Sequence, residues 1–395
     1  MEHAAVVADR GTAAAVPFFT QAASFTALWP SIKDNLEAVL DRGKYSHGPL
    51  VGRFEEALAE YLGAGHVVGV NSGTDALVLL LRAAGLQPGD EVVVPAFSFV
   101  ASASSVVLAG GTPTFADIDP VTYGIDTGTA AVTVATRMVM PVHLFCQLAD
   151  LGSVVAFAQR HALTVVEDSA EAIGMRWDGT HAGLHGAGGV LSFFPTKTLG
   201  ALGDAGAVIT DDARIAETAA ALRHHGRFGH TLDNFPGIAT ETTLPGLNSK
   251  MDDVQAAVLL AKLATLDADI ARRAHLAALY SEGLRGCPGV RRLPTVVERE
   301  VDTTAVFYVY LVEVDHRDAL AAYLAANSVG TETYYPVPLH LQPCFAHLGY
   351  RRGQFPHAEA ACANAVALPL YPDLTEAQVD RVCSLVRAFY GGGGA

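Results

Sequence analysis

An isolated lysine is the first residue whose surroundings could support chemistry. Lys197 is the only permanently charged residue between Asp178 and Asp204, and it lies just past an apolar run at Val190–Phe194 that is typical of a buried strand. Burial lowers the pKa of an ammonium group towards the neutral, nucleophilic amine that a Schiff-base lysine requires. The alternative is an ordinary lysine whose alkyl stem covers apolar surface while its ammonium group stays in water.

Two polar residues follow other predicted strands. Asp168 comes directly after an apolar run at Thr164–Glu167, so its carboxylate should lie at the carboxyl edge of the sheet. There it could keep a pyridine nitrogen protonated, which makes the ring an electron sink for a carbanion. The alternative is that Asp168 caps the turn that follows it. His143, in the segment PVHL, also lies at a strand end, and it has either a structural role or a direct contact with a substrate.

A turn of small residues could bind a phosphate group. The segment NSGTDA at 71–76 joins a predicted strand, Val67–Val70, to a helix that begins near Asp75. Backbone N–H groups at such a helix start, assisted by the helix dipole, attract a phosphate, although an ordinary capping turn has the same composition. Ser192, five residues before Lys197, could reach the same phosphate. No G-x-G-x-x-G sequence follows a strand, which disfavours a nicotinamide-dependent oxidoreductase.

Alternating strands and helices must position these residues in the first half of the chain. The apolar and β-branched runs predict seven strands: Val67–Val70, Val92–Val94, Thr114–Ile118, Arg137–Val142, Thr164–Glu167, Val190–Phe194 and Ala207–Thr210. Helical patterns lie between several of them, at Asp75–Ala84, Ser98–Ala109 and Leu151–His161. This alternation indicates a mostly parallel seven-stranded sheet covered by helices on both faces, with its ligands beyond the carboxyl ends of the strands.

The pattern changes after residue 250. We expect one long helix over 252–284 and then an α+β unit, with strands at Val306–Val314 and Thr331–Tyr335 and helices at Arg317–Asn327, Ala358–Ala365 and Glu376–Phe389. The sequence therefore predicts two domains. Residues 1–250 would form a large α/β domain, and residues 251–395 would form a smaller C-terminal α+β domain.

Composition and charge exclude several classes of protein. Half of the 395 residues are apolar and 17% are charged, which is typical of a folded chain. The formal net charge is −15, and no cluster of Lys and Arg is larger than a pair, which argues against nucleic acid or an anionic membrane surface as a partner. The uncharged segment 92–116 is long enough to span a membrane, but prolines and paired glycines interrupt it.

The cysteines and the start of the chain bear on its location. The five cysteines are widely spaced and form no zinc-binding pattern, so we expect reduced thiols and no metal site. The first sixteen residues lack a continuous apolar core of the length that a signal peptide needs. We therefore expect a cytoplasmic protein.

The turn at 71–76, Asp168 and Lys197 occur in the order found in fold-type I enzymes that use pyridoxal 5'-phosphate (PLP), and the chain resembles them. More narrowly, it resembles the DegT/DnrJ/EryC1/StrS family of sugar aminotransferases. The matching segments are Gly48–Glu55 (GPLVGRFE), Asn71–Leu77 (NSGTDAL), Gly89–Val100 (GDEVVVPAFSFV), Phe115–Pro120 (FADIDP), Pro141–Asp150 (PVHLFCQLAD), Glu167–Gly174 (EDSAEAIG), Leu191–Gly206 (LSFFPTKTLGALGDAG) and Asn248–Ala257 (NSKMDDVQAA). With the more diffuse Tyr334–Pro343 (YYPVPLHLQP), they cover nearly the whole chain.

The resemblance assigns roles to individual residues at the cofactor. It implies that Lys197 forms the Schiff base with PLP and then acts as the acid and base that moves the substrate proton. Asp168 would pair with the pyridine nitrogen, and Phe99 would stack on the ring. The phosphate would be bound by three residues of the same chain and one of a neighbouring chain: Gly73, Thr74, Ser192 and Asn248 of the partner subunit.

A shared site of this kind makes a homodimer obligatory. The resemblance further implies that Lys250, Tyr335 and His340 lie near the sugar-nucleotide site. His143 is a further candidate for a substrate contact, from its position at a strand end.

Two positions depart from the family pattern. Glu171 stands where the family often has Gln, facing the phenolic oxygen of the cofactor. A carboxylate would repel that oxygen, so Glu171 is expected to be protonated, turned away or used differently. Glu occurs there among relatives that aminate C4 of the sugar, which favours C4. Lys250 replaces a common Arg, which keeps the charge but loses the bidentate geometry of a guanidinium group.

The resemblance implies an aminotransferase that converts a keto-deoxysugar linked to a nucleotide, dTDP in our expectation, into an amino sugar. Glutamate or glutamine would be the donor, and pyridoxamine phosphate would form during turnover. The favoured acceptor is dTDP-4-keto-6-deoxyglucose, and the alternatives are a 3-keto sugar, or a cyclitol or amino-benzoate precursor. Lys197 argues against the sugar dehydratases of the family, which have histidine at this position. Lys197 and Asp168 together disfavour an idle sugar-nucleotide-binding protein.

Overall fold

A seven-stranded sheet forms the centre of the molecule. The computed structural model describes residues 15–229 and 241–391. Its strands are β1 His66–Val70, β2 Glu91–Pro95, β3 Thr112–Ala116, β4 Thr136–Val139, β5 Thr164–Asp168, β6 Arg176–Trp177, β7 Thr180–His181, β8 Gly188–Ser192, β9 Gly206–Thr210, β10 Val290–Arg292, β11 Tyr310–Val314 and β12 Ala365–Leu368. The large sheet has the order β1-β9-β8-β5-β4-β2-β3. In it β9 runs antiparallel to β1 and β8, and the other neighbouring pairs are parallel, which confirms the mostly parallel sheet.

Helices cover both faces of this sheet. They are α1 Ala22–Arg42, α2 Pro49–Leu62, α3 Gly73–Ala83, α4 Ala101–Leu108, α5 Leu151–His161, α6 Ala213–Arg223, α7 Asp253–Leu263, α8 Leu266–Leu284, α9 Arg317–Ala326, α10 Pro356–Asn364 and α11 Glu376–Gly391. Alternate residues of β2 join different apolar cores: Val92 and Val94 pack with residues of α3, whereas Val93 packs with Val154 and Phe157 of α5. Because successive side chains of a strand point to opposite faces, the sheet is buried on both sides.

The sheet topology brings several loops to one edge. The strands β2, β5 and β8 are parallel within the sheet, and β1 is parallel to them because it pairs antiparallel with β9, which pairs antiparallel with β8. The residues after these strands therefore meet at the carboxyl edge, where open α/β sheets bind their ligands. This edge is where the fold places the predicted site.

The C-terminal part combines helices with a smaller sheet, which confirms the expected α+β character, and the sheet is antiparallel. Its order is β10-β11-β12. Residues of β11 and β12 share an apolar core with the helices α8, α9 and α11. The domain boundary at residue 250 stays a prediction.

Three predictions for this part are wrong in detail. The long helix over 252–284 is interrupted at Ala264–Thr265 and forms α7 and α8. The segment Thr331–Tyr335 is not a strand, and it makes a single bridge between Glu332 and Ala367. Strand β11 begins at Tyr310 rather than at residue 306, because the residues before it bond to another loop, with the Tyr308 N–H 2.8 Å from the Phe145 carbonyl oxygen.

Within residues 15–229 and 241–391, no helix has both the length and the apolar character that crossing a membrane would require. Of the first sixteen residues, on which the expectation about a signal peptide rests, residues 1–14 lie outside the described residues.

Candidate active site

A cavity of about 690 Å³ lies at the carboxyl edge of the sheet. It is bounded by the residues after β1, β2, β5 and β8 and by the segment Glu332–Pro336. The structure brings most of the predicted site residues into its lining: Gly73, Thr74, Phe99, His143, Asp168, Glu171, Ser192, Lys197 and Tyr335. The roles assigned to these residues stay predictions.

The turn before α3 fits closely against the ends of two strands. Ser72 caps the helix, and its hydroxyl accepts a hydrogen bond from the Asp75 N–H at 3.1 Å. A Cβ atom on Gly73 would lie 2.8 Å from the Cβ atom of Ser192, and one on Gly206 would lie 2.5 Å from the carbonyl carbon of Ser72. The turn can therefore lie this close to β8 and β9 because both positions are glycine. The first N–H groups of a helix have no partner within the helix, so this start of α3 beside the Ser192 hydroxyl fits a phosphate.

Asp168, at the end of β5, is held by serines of the neighbouring loop and helix. It is 5% exposed, and its Oδ2 atom accepts a hydrogen bond from the Ser102 hydroxyl at 2.6 Å. The Ser98 hydroxyl lies 2.7 Å from that of Ser102. Burial raises the pKa of Asp168. The hydrogen bonds from Ser102 and the Ala170 N–H and the charge of Lys197 lower the pKa, but burial outweighs them. Ser98 and Ser102 were missed in the sequence, although their spacing of four residues was a signal that both face one side of a helix start.

Lys197 is paired with Glu171. Its Nζ atom lies 3.1 Å from the Glu171 Oε1 atom and 4.2 Å from the centroid of the Tyr308 ring. Burial lowers the pKa of Lys197, but the charges of Glu171 and Tyr308 and the hydrogen bond to Glu171 outweigh it and raise the pKa to about 12. The prediction of a lowered pKa is therefore wrong, because the sequence did not show that a carboxylate lies beside the ammonium group.

Glu171 points into the cavity rather than away from it. Its Oε1 atom also accepts a hydrogen bond from the Tyr335 hydroxyl at 3.3 Å, and its Oε2 atom accepts one from the Phe145 N–H at 3.2 Å. Together with Lys197, these contacts make the carboxylate an acceptor of three hydrogen bonds. Of the three possibilities left open by the sequence, a side chain turned away is thus contradicted.

His143 is fully buried between two parts of the chain. Its Nδ1 atom accepts a hydrogen bond from the Ala149 N–H at 3.2 Å, which leaves Nε2 to donate to the Glu167 Oε2 atom at 2.9 Å. Glu167 also accepts hydrogen bonds from the N–H groups of Gly183 and His185. Burial raises the pKa of Glu167, but its hydrogen bonds from His143 and His185 outweigh this and lower the pKa to about 2. Although the imidazole lines the cavity, both of its nitrogens are used within the fold, which favours the structural role.

Aromatic side chains form one wall of the cavity. Phe99 is 56% exposed, and its ring centroid lies 6.1 Å from that of Tyr335. The Tyr308 hydroxyl lies 3.2 Å from the hydroxyl groups of both Tyr334 and Thr196. Phe99 is therefore free to cover the face of a bound ring, while the tyrosines are tied to the segment that carries Lys197. Tyr308 was missed in the sequence, and no local motif marks it.

Three predicted residues are not brought to this cavity within one chain. Among the described residues, its lining does not include Asn248, Lys250 or His340. Asn248 is exposed, and its side-chain oxygen accepts a hydrogen bond from the Lys250 ammonium group. His340 is 1% exposed, and its Nε2 atom lies 3.1 Å from the Glu359 Oε1 atom. This enclosed position gives no support to a substrate contact by His340.

The cavity fits PLP at four points. The start of α3 and Ser192 can hold the phosphate, Asp168 can pair with the pyridine nitrogen, and Phe99 can cover the ring. Lys197 supplies the amine for the aldehyde group. All of these groups belong to the lining of the same cavity.

Comparison with known proteins places this cavity among aminotransferases. The model of the DegT/DnrJ/EryC1/StrS aminotransferase family matches residues 28–387. The chain is similar to the "dTDP-3-amino-3,4,6-trideoxy-alpha-D-glucose transaminase" of Streptomyces venezuelae, with 38% identity over 96% of this chain and 98% of that one. It is also similar to the "Pleiotropic regulatory protein" of Geobacillus stearothermophilus, with 40% identity over 95% and 98% of the two chains.

Comparison with solved structures gives the same family of folds. The crystal structure of Streptomyces venezuelae DesV superposes with a TM-score of 0.88 at 38% identity, over 95% of this chain and 98% of that one. DesI, in a crystal structure obtained in the presence of its TDP-sugar product, superposes with a TM-score of 0.81 at 32% identity, over 92% and 91% of the two chains. These likenesses cover both sheets, and they confirm the fold expected from the sequence.

Proposed function

The chain belongs to the DegT/DnrJ/EryC1/StrS aminotransferase family, and from this premise we propose that it transfers an amino group to a nucleotide-linked keto-sugar, with PLP as cofactor. The observation that carries the proposal is the meeting of Lys197, Asp168 and the start of α3 in one cavity of about 690 Å³. A bound PLP supplies an electron sink, which stabilises negative charge at the substrate carbon during proton transfer. Glutamate or glutamine is the proposed donor.

Each of several residues of the chain has its own role in this reaction. Lys197 moves the proton at the substrate carbon, and Glu171 holds its ammonium form at 3.1 Å before reaction. Asp168 keeps the pyridine nitrogen protonated, and Ser102 fixes the direction of that carboxylate. Phe99 covers one face of the ring. The tyrosines Tyr334 and Tyr335 narrow the cavity beside Lys197 and limit the access of water.

The charge of the cavity supports a site completed by a second subunit. Among the described residues, its lining contains four carboxylates, Asp168, Glu171, Asp204 and Glu332, and Lys197 as the permanent cation. A phosphate, a donor carboxylate and a sugar diphosphate all need positive charge or hydrogen-bond donors. The start of α3 supplies N–H donors for the cofactor phosphate. We propose that Asn248 of the partner subunit adds a further donor at the cofactor phosphate, and that Lys250 of the partner subunit supplies positive charge for the sugar diphosphate.

Exposed apolar side chains beside the cavity give this homodimer a surface. Phe99 is 56% exposed, Phe194 is 49% exposed and Leu202 is 52% exposed, and all three lie in or next to the loops that carry site residues. Large apolar side chains grouped on a surface mark interaction sites.

Two positions of amination have separate support. Glu171 favours C4, as the resemblance implies. The names of several relatives favour C3, among them the Streptomyces venezuelae transaminase and the "UDP-N-acetyl-3-dehydro-alpha-D-glucosamine 3-aminotranferase" of Acidithiobacillus ferrooxidans, 36% identical over 94% of this chain and 97% of that one. Glu171 contacts both Lys197 and Tyr335 of the segment Glu332–Pro336, so its contacts favour neither position. We retain dTDP-4-keto-6-deoxyglucose as the first acceptor to test and its 3-keto isomer as the second.

The decisive experiment separates cofactor binding from acceptor choice. Purified protein should take up PLP and gain a visible absorbance that borohydride abolishes, and Lys197→Ala should lose this absorbance and all transaminase activity. Protein loaded with pyridoxamine phosphate is then mixed with each keto-sugar, and return of the PLP absorbance identifies the acceptor. If the protein binds no PLP, the proposed aminotransferase activity is refuted. If it binds PLP but responds to neither sugar, a cyclitol or an amino-benzoate precursor becomes the proposed acceptor.

A further inference from the structure

The backbone loop that carries Lys197 is closed on itself. We call residues 195–200 the Lys197 loop. The Lys197 N–H donates to the Phe194 carbonyl oxygen at 2.8 Å, and a Cβ atom on Gly200 would lie 2.3 Å from the Pro195 carbonyl oxygen. The two ends of the loop, Pro195 and Gly200, are therefore adjacent. Thr196 and Lys197 line the cavity, whereas Pro195 and Gly200 are not among its described lining residues.

Two side chains from outside the loop bind the carbonyl groups of these two ends. The Lys262 ammonium group of α7 donates to the Gly200 carbonyl oxygen at 2.7 Å. It also donates to the Gln21 Oε1 atom at 2.6 Å, and the Gln21 Nε2 atom donates to the Pro195 carbonyl oxygen at 2.6 Å. Lys262 and Gln21 thus connect the residue two positions before Lys197 with the residue three positions after it.

We propose that Lys262 and Gln21 are positioning residues, which hold the Lys197 loop so that the Lys197 amine meets the cofactor and the substrate carbon. The proposal rests on the proposed function, since Lys197 needs positioning only if it reacts. Lys262 is 4% exposed, and an unpaired ammonium group in such a place is strongly unfavourable. Its two short hydrogen bonds compensate for that burial, and one of them reaches the loop directly.

The charges around Lys262 agree with this arrangement. Burial lowers the pKa of Lys262 to about 8, and the charge of Arg273 lowers it as well, whereas Asp269 and Asp373 raise it. Within the part of the chain that the structure describes, the Lys262 ammonium group donates to the Gly200 carbonyl and the Gln21 amide and to no carboxylate. The ammonium group is thus directed at the loop and at the residue that holds the loop's other end.

Gln21 is itself fixed from the C-terminal part of the chain. It precedes α1, whose first N–H groups donate to the Asp373 carboxylate, from Ala23 at 2.9 Å and from Ser24 at 3.1 Å. Asp373 lies between β12 and α11. The segment 21–24 therefore makes hydrogen bonds to Asp373 of the C-terminal part, to Lys262 of α7 and to the Lys197 loop.

The variants Lys262→Met and Gln21→Ala test this role, with Asn35→Ala as the matched control. Asn35 ties α1 to α7 through a 3.0 Å hydrogen bond to the Ala257 carbonyl oxygen but does not touch the loop. Hydrogen exchange is measured in the PLP-free proteins at the amides of Lys197 and Ala201, whose N–H groups bond within the loop region. The dissociation constant of PLP is measured in parallel.

In both test variants, we expect the amide hydrogens of Lys197 and Ala201 to exchange about tenfold faster than in the wild type. We also expect PLP to bind about tenfold more weakly, which corresponds to about 1.4 kcal/mol. Asn35→Ala should change neither quantity. Wild-type exchange and wild-type PLP affinity in folded Lys262→Met and Gln21→Ala would overturn the proposal, and so would an equal change in Asn35→Ala. If Lys262→Met does not fold, Gln21→Ala decides, because it keeps the bond from Lys262 to Gly200. Failure of the wild type to bind PLP would refute the proposed function instead, since the exchange measurement needs no cofactor.

Discussion

Lys197 and Glu171 show how one neighbour changes the chemistry of a residue. A buried lysine would be expected to lose its proton easily, but the carboxylate 3.1 Å away raises the pKa of Lys197 to about 12. The amine must be neutral to attack an aldehyde. We therefore predict that Glu171 slows the reaction of Lys197 with PLP.

Replacement of Glu171 by Gln should reverse this balance. Glu171→Gln keeps an oxygen acceptor but removes the negative charge, so burial dominates and the pKa of Lys197 falls. We expect the pH midpoint for reaction of PLP with the cofactor-free protein to fall by at least about one unit, which equals about 1.4 kcal/mol. The rate of appearance of the PLP absorbance between pH 6 and pH 10 gives this midpoint. An unchanged midpoint would show that Glu171 does not control the proton of Lys197.

The sequence predicted residues of the site where local pattern determines their position. Lys197 and Asp168 follow strands of a parallel sheet, so the strand pattern alone brings them to one edge. Ser102 and Tyr308 come from segments distant in sequence, and their contacts depend on packing that no local motif encodes. The pKa of Lys197 was mispredicted for the same reason, because its neighbour Glu171 is 26 residues away along the chain.

At the scale of elements, α2 depends on a residue from another helix for its cap. It begins after Gly48, which has no side chain to cap it, and the Asp253 Oδ1 atom accepts a hydrogen bond from the Val51 N–H at 2.9 Å. A Cβ atom on Gly48 would lie 2.2 Å from the Asp253 Oδ2 atom, so glycine permits this approach. Asp253, which is 1% exposed, thereby fixes α7 against α2.

Loss of this cap should lower the stability of the fold. We expect Asp253→Ala to reduce the free energy of unfolding by about 1–3 kcal/mol, because it leaves buried N–H groups at the start of α2 without their acceptor. The adjacent Asp252 is exposed and makes no side-chain cap bond to α7. Asp252→Ala is therefore the control, with an expected change within about 0.5 kcal/mol. Urea unfolding measures both, and equal effects would contradict the cap.

The elements of the large sheet were predicted well because each strand is a short apolar run between helical segments. The interruption of 252–284 was missed, although Thr265 followed by Asp267 and Asp269 has the acidic first turn of a new helix. Helix α2 was also missed, although Leu50, Phe54, Leu58 and Leu62 recur every four residues and are buried. The segment Thr331–Tyr335 looked like a strand from its composition, but its aromatic side chains line the cavity instead of extending a sheet.

At the scale of the whole molecule, the proposed homodimer can be tested by mixing two defective subunits. Lys197→Ala lacks the reacting amine, and Asn248→Ala should weaken phosphate binding. If Asn248 acts across the interface, a hybrid dimer contains one site with both residues intact. Unfolding and refolding of an equal mixture should then restore about one quarter of wild-type activity, since half of the dimers are hybrids. A mixture with no more activity than its two components would place Asn248 in its own subunit's site or outside any site.

The two halves of the cavity differ in how well they tolerate substitution, because glycines pack the turn at 71–76 tightly against the sheet. At Gly73 even a methyl group would meet Ser192 at 2.8 Å, so the half that holds the cofactor is fixed by backbone packing against the sheet. The rim at Glu332–Pro336 belongs to no strand, and its side chains can be exchanged without moving β8 or β9. We therefore expect a library randomised at Glu332, Thr333 and Pro336, with Tyr334 and Tyr335 kept, to retain the cofactor chemistry while its substrate range changes.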